Sequence, residues 1–169
     1  ANCISMALTP MVLTARMVRT QHPNAKIVFV GPCSAKKLEA MRSSVRSEVD
    51  FVLTFEEMAG MMDAKDIEYL SLADDNKSDF AVASADGRAF AIAGGVATAV
   101  VNAIHAKDPD RAVPTENAEG LEECRKMMKD AVKGKYPGYL LEGMACPGGC
   151  VAGAGTLQAI NKSRAQVRA

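Results

Sequence analysis

The chain has 169 residues, 49% of them hydrophobic, with 20 Lys plus Arg against 20 Asp plus Glu, about the size of one ordinary domain that buries its core without disulfides. That charge balance leaves no global field favouring nucleic acid or an anionic membrane surface, no apolar run reaches the roughly 18 residues of a membrane span, and the start lacks the zones of a secretory signal, so the expectation is a cytoplasmic protein with no nucleic-acid partner and no membrane span. Five cysteines, an odd number at irregular spacing, read in a reducing compartment as free thiols or metal ligands rather than a disulfide framework.

The opening Ala1-Asn2-Cys3-Ile4-Ser5 has neither Met nor a tidy domain entry, and is expected to belong to a piece excised from a longer protein. Thr9-Pro10 reads as an N-cap followed by proline in a first helical turn, predicting a helix from about 10 to 21 that His22-Pro23-Asn24 stops. Lys26 to Val30 is a short apolar β-former run, as for a strand covered on both faces. Gly31-Pro32 ends it, and a loop holding Cys33 hands over to helical Ala35 to Arg42. Val49 to Leu53 repeats the strand signal, and Thr54-Phe55-Glu56-Glu57 is a capping box opening a Met-rich helix through Met62.

Asp74 to Asp86 is polar and small, the best candidate for a mobile loop, and a boundary between two α/β lobes is expected near 74–88. Phe90 to His105 predicts a buried helix with Gly94-Gly95 allowing close backbone approach near its start. Ala118 to Lys133 has the spacing of an amphipathic helix ending at Gly134. Tyr139 to Met144 is a third strand candidate, and a last helix is expected from about Thr156 to Arg164. Alternating strands and helices argue for an α/β fold, a mostly parallel sheet flanked by helices and joined by right-handed crossovers.

Two loops carry the chemistry. Gly31-Pro32-Cys33-Ser34-Ala35-Lys36-Lys37-Leu38-Glu39 and Glu142-Gly143-Met144-Ala145-Cys146-Pro147-Gly148-Gly149-Cys150-Val151-Ala152-Gly153-Ala154-Gly155 each follow an apolar run and set thiols among Gly and Pro. Iron–sulfur clusters take thiolates from the ends of converging elements, with glycines letting backbone N–H groups approach the sulfides. Parallel sheets place ligands beyond the C-terminal ends of their strands, so the two loops are expected to share one site. A tight turn with two buried small residues is the lesser, rival reading of the C-x-x-x-C, since free Cys is often buried. Zinc is a weaker reading, because neither His22 nor His105 has finger-like spacing to the thiols. Cys124 falls at helical periodicity as core, and Cys3 is ambiguous.

With these loops the sequence resembles the C-terminal part of the catalytic, H-cluster domain of the iron-only (di-iron, FeFe) hydrogenases. That family carries T-S-C-C-P, M-P-C-x-x-K-K-x-E and E-x-M-A-C-x-G-G-C-x-x-G-G-G motifs. Gly31 to Glu39 matches the second except for Gly31 in place of methionine, and Glu142 to Gly155 matches the third except for Ala154 in place of a glycine. Phe90-Ala91-Ile92-Ala93-Gly94-Gly95-Val96 resembles the family's F-x-x-x-G-G-V segment, and Ser5 to Pro10 its serine-x-x-x-[Ser/Thr]-Pro segment.

The resemblance implies that Cys33, Cys146 and Cys150 are three of four thiolates holding a 4Fe-4S cubane, with Cys150 also bridging to a di-iron subsite bearing carbonyl and cyanide ligands. It implies that Lys36 donates to a cyanide, that Pro32 lines the subsite, that Met144 and Phe90 pack beside it, and that Ser5 lies on a proton path. A cyanide is a strong acceptor that a buried ammonium satisfies. It further implies a ferredoxin or ferredoxin-like domain as electron partner, maturation proteins, and an upstream part of the same polypeptide carrying the first cysteine motif. No T-S-C-C-P stretch occurs in this chain. The chain alone is therefore expected to be inactive and to lack the complete cluster. Two rivals stand beside this reading: a non-catalytic cluster carrier or hydrogen sensor of the same family, and a structural role with every cysteine as core filler.

Overall fold

The structure, a computed structural model, describes residues 2–44, 48–72 and 83–168. It divides into two compact units, Ala1–Ile67 with Ala154–Thr156, and Glu68–Gly153 with Leu157–Ala169. The lobe boundary and mobile loop expected from 74 to 88 fall mainly on residues outside those described.

The first unit runs α1 (Pro10–Gln21), β1 (Val28–Gly31), α2 (Ala35–Ala40), β2 (Phe51–Thr54) and α3 (Phe55–Asp63). β1 and β2 are parallel, with Val28 opposite Phe51 and Gly31 opposite Thr54. Proline at the first position of α1 fixes a helical φ where its missing N–H is not needed. Thr9 sits at the N-cap position, but its hydroxyl donates to Glu39 instead of capping the helix. The core is Met11, Val12, Ala15 and Val49, with Ile27, Phe29, Ala40 and Val52 against it. Asp50 ties these elements together, accepting from Ile27 N–H at 2.8 Å, Lys26 Nζ at 3.2 Å and Arg19 at 3.4 Å. The Thr54 capping box forms as its spacing predicts: Thr54 Oγ1 accepts from Glu57 N–H at 3.1 Å, and Glu57 accepts from Thr54 N–H at 2.8 Å.

Burial corrects one expectation. The apolar run of β1 predicts cover on both faces, yet Val28 and Val30 are 46% and 39% exposed, as is Phe51 at 61%. The strand alternates, Phe29 facing the core and its neighbours facing outward, so hydrophobicity alone did not distinguish one covered face from two.

The second unit contains α4 (Ala85–Ala89), α5 (Gly95–His105), β3 (Thr115–Glu119), α6 (Leu121–Val132), β4 (Leu140–Met144) and α7 (Ile160–Arg168). β3 and β4 are parallel from Thr115 opposite Leu140 to Glu119 opposite Met144. The mixed α/β class with parallel strands and flanking helices therefore agrees with the sequence reading. Three boundaries do not. The helix predicted from Phe90 begins at Gly95, after α4 and a turn. The helix predicted from Ala118 begins at Leu121, because 115–119, Thr-Glu-Asn-Ala-Glu, is a strand held by its ladder with β4 despite poor β propensity. The last helix starts at Ile160.

Candidate metal centre

In the first unit, β1 delivers the chain into the Cys33 loop. Lys36 N–H donates to the Cys33 carbonyl at 3.3 Å, turning the loop directly into α2. The tail of the second cysteine motif returns here, where Gly155 N–H donates to the Pro32 carbonyl at 2.9 Å and the Gly155 carbonyl accepts from Glu56 N–H at 3.2 Å. A Cβ on Gly155 would collide with the Thr54 side chain, so only glycine allows this approach. Lys36, half-buried, is ion-paired with Glu39, which also accepts from Thr9. Burial pushes the Glu39 carboxyl up, but the hydrogen bonds from Lys36 and Thr9 and the charges of Lys36 and Arg42 outweigh it and hold the group below the usual carboxylate range. Ser5 is exposed, its Oγ accepting from Ala7 N–H at 3.2 Å.

In the second unit, β4 delivers the chain into the Cys146–Cys150 loop, and three layers of contacts hold that loop. Gly149 N–H donates to the Cys146 carbonyl at 2.9 Å, forming the turn. Val151 N–H donates to the Ala91 carbonyl at 3.0 Å, and Ala93 N–H to the Gly148 carbonyl at 3.4 Å, fixing the turn to the segment after Phe90. Gly148 N–H donates to Glu119 Oε2 at 2.6 Å. Gly149 has φ +91°, and a Cβ there would stand 2.5 Å from Ala93 N and 2.8 Å from the Ala91 carbonyl oxygen. Ligation ordinarily orders such Gly-rich segments, whereas here the polypeptide supplies partners of its own.

Glu142 is one of two buried polar or charged side chains among the described residues, the other being Thr54. Its carboxylate accepts from Gly94 N–H at 2.8 Å and Ala97 N–H at 2.7 Å, capping the N-terminus of α5 where free N–H groups and the helix dipole favour an anion. The acidic residue of the third motif thus locks β4 to α5. Met144 is half-buried, its carbonyl accepting from Gly120 N–H at 2.8 Å and from Cys124 Sγ at 3.6 Å. Cys124 also donates to the Ala118 carbonyl at 3.5 Å, bridging both strands. Phe90 is half-buried just before the Ala91–Ala93 segment.

The expected site residues therefore divide. Pro32, Cys33, Lys36 and Ser5 belong to the first unit, and Phe90, Met144, Cys146 and Cys150 to the second. Among the described residues no disulfide joins the five cysteines, of which Cys33, Cys146 and Cys150 are half-buried and Cys3 exposed. Within neither unit do three His, Cys, Asp or Glu side chains converge as a metal-holding set among the described residues. The donor chemistry fits an iron–sulfur cluster: three soft sulfurs at strand exits, flanked by glycine backbone, in loops that contain no imidazole. Glu39, Thr9 and Glu119 support these loops; in the sequence Thr9 reads only as an N-cap, and Glu39 and Glu119 carry no assigned role. Glu39 lies within a quoted motif, but Glu119 had no signal, because its strand was read as the start of a helix.

Both units are α/β, and in each a cysteine loop follows the C-terminal end of a parallel strand, Cys33 after β1 and Cys146 after β4. Residues 1–154 match the iron only hydrogenase large subunit, C-terminal domain, and the chain belongs to that family. It is 31% identical over 159 residues to the periplasmic Fe hydrogenase large subunit of Nitratidesulfovibrio vulgaris, covering 76% of this chain and 38% of that one. It is 28% identical to iron hydrogenase 1 of Clostridium pasteurianum, covering 91% and 34%. It is also 29% identical to the nuclear prelamin A recognition factor of Homo sapiens, covering 78% and 36%. The chain thus spans little more than a third of these relatives. Its fold is similar to a solved structure concerning stepwise FeFe-hydrogenase H-cluster assembly, with a TM-score of 0.65 and 18% identity over 94% of this chain and 58% of that one. Among the described residues no helix is long and apolar enough to cross a membrane.

Proposed function

We propose that this chain is part of an iron-only hydrogenase in which Cys33, Cys146 and Cys150 are three of the four thiolates of a 4Fe-4S cluster, with Cys150 shared with a di-iron subsite. The observation that carries the proposal is the family match over residues 1–154, in which both quoted cysteine motifs leave parallel strands as loops. When bound, the group interconverts two protons and two electrons with molecular hydrogen; the protein holds it, relays protons and excludes side reactions.

Lys36 is the donor for an anionic ligand of the subsite. Its ammonium is half-buried and pinned by Glu39, so it is already oriented and partly dehydrated, which strengthens any further charge-assisted bond it makes. Pro32, Met144 and Phe90 supply apolar wall around the site and exclude water. Ser5 carries a hydroxyl for proton relay. Electrons arrive from a ferredoxin or ferredoxin-like domain, and further polypeptide supplies the fourth thiolate and a C-C-P motif. Maturation proteins insert the di-iron group, and cysteines without disulfides suit a cytoplasmic, reducing setting.

The 169 residues alone are expected to evolve no hydrogen from a reduced dye, while protein extended upstream through a C-C-P motif and matured with the di-iron group evolves it. Activity from the 169 residues alone contradicts the proposal. A second reading, a non-catalytic cluster carrier, is favoured by the prelamin A recognition factor relatives. Infrared bands for carbonyl and cyanide in matured, extended protein separate the two, since a cubane without those bands supports the carrier.

A further inference from the structure

Glu119 is the last residue of β3, directly opposite Met144 at the end of β4 and two positions before Cys146 in the paired strand. The backbone turns away at Gly120, whose N–H donates to the Met144 carbonyl at 2.8 Å. A Cβ on Gly120 would lie 3.8 Å from Pro147 Cγ, so the loop rests against this strand end. From there the half-buried Glu119 carboxylate reaches the centre of the loop, Oε2 accepting from Gly148 N–H at 2.6 Å. The other side of the same residue is held as well, because the Gly148 carbonyl accepts from Ala93 N–H at 3.4 Å.

We infer that Glu119 is a positioning residue: its carboxylate fixes the backbone between Cys146 and Cys150 in one conformation before any metal is bound, so that two thiols are presented already ordered. The inference rests on the assignment of Cys146 and Cys150 as ligands. Its physical basis is charge-assisted hydrogen bonding, roughly twice as strong as a neutral bond, acting on Gly148 and Gly149, the residues of the loop with the most backbone freedom to lose. Ordering the loop in advance removes that entropy from the binding step and sets the geometry of the first-bound sulfurs. Glu119 acts through the backbone N–H of Gly148.

The test is amide hydrogen exchange by NMR on the full, metal-free chain, comparing wild type with Glu119→Ala, Glu119→Gln and Glu116→Ala, the last an exposed carboxylate on the same strand. Glu119→Ala is expected to speed exchange at Gly148 by about tenfold or more, with Gly149 and Val151 following and the amides of α6 unchanged. Glu119→Gln keeps an acceptor oxygen without the charge and is expected to restore part of the protection, and Glu116→Ala to match wild type. Unchanged exchange at Gly148 in Glu119→Ala overturns the inference, as does uniform acceleration across the second unit, which indicates general destabilisation. In a second arm, protein extended upstream through a C-C-P motif is titrated anaerobically with ferrous iron and sulfide and followed by visible absorption. Glu119→Ala is expected to need about tenfold more iron for half-loading, with partial rescue by Glu119→Gln; equal loading counts against the inference. If the extended wild type takes up no iron and sulfide, the ligand assignment fails, while exchange at Gly148 still decides what Glu119 does.

Discussion

Gly149→Ala isolates the steric demand of the cysteine loop. Gly149 has φ +91°, and its missing Cβ would fall 2.5 Å from Ala93 N and 2.8 Å from the Ala91 carbonyl oxygen. Both neighbours are backbone, so no rotamer change relieves the clash. Gly134, just after α6, has φ +84° and nothing within 4 Å of its missing Cβ. An alanine at Gly134 therefore meets only the left-handed penalty of roughly 1–2 kcal/mol. An alanine at Gly149 meets that and, in addition, an overpacking cost of about 1–3 kcal/mol. The expected total is about 2–5 kcal/mol, and the excess over Gly134→Ala about 1–3 kcal/mol. Tyr69, Tyr136 and Tyr139 all lie in the second unit and the chain has no tryptophan, so urea unfolding followed by tyrosine fluorescence reports on that unit. If the two variants agree within about 0.5 kcal/mol, the scale of an ordinary surface substitution, the packing argument fails.

Three other outcomes follow from the same contacts. Cys146→Ser is expected to lower iron retained after reconstitution; unchanged iron content and spectrum support the core-filler reading. Glu142→Ala strands the N–H groups of Gly94 and Ala97 and is expected to destabilise the second unit by roughly 2–5 kcal/mol, which the same fluorescence titration measures; a loss under about 0.5 kcal/mol refutes the lock between β4 and α5. Asp50 is held below its ordinary value of 3.8, first by the Ile27 N–H, then by the Lys26 hydrogen bond against slight burial, with the Lys26 charge and Arg19 adding to the lowering. A carboxyl depressed on folding contributes stability above its unfolded pKa and loses it as pH falls through the lower folded value. Asp50→Asn is thus expected to flatten the acid side of the stability–pH curve of the first unit below about pH 4, read by circular dichroism; an unaltered slope there contradicts the role.

Local chemistry was legible wherever a residue type had one dominant use. Pro10 opens α1 and the Thr54–Glu57 pair forms its capping box, because each feature depends on neighbours within four residues, and the apolar runs before both cysteine loops marked their strands. The motif spacings also carried the family, since cysteine, glycine and lysine at set intervals are a one-dimensional signature. Tertiary structure decided the remainder. The segment from Thr115 to Glu119 is a strand because β4 offers it a parallel ladder, which no intrinsic propensity of Glu and Asn signals. Val28 and Val30 face outward although their run reads as doubly covered. Glu142, Glu119 and Glu39 acquire their roles from backbone and side-chain partners many residues away or on another element, for Glu142 as far off as Gly94. A carboxylate in sequence is only a charge; the N–H or ammonium that folding brings within 3 Å makes it a cap, a clamp or an anchor.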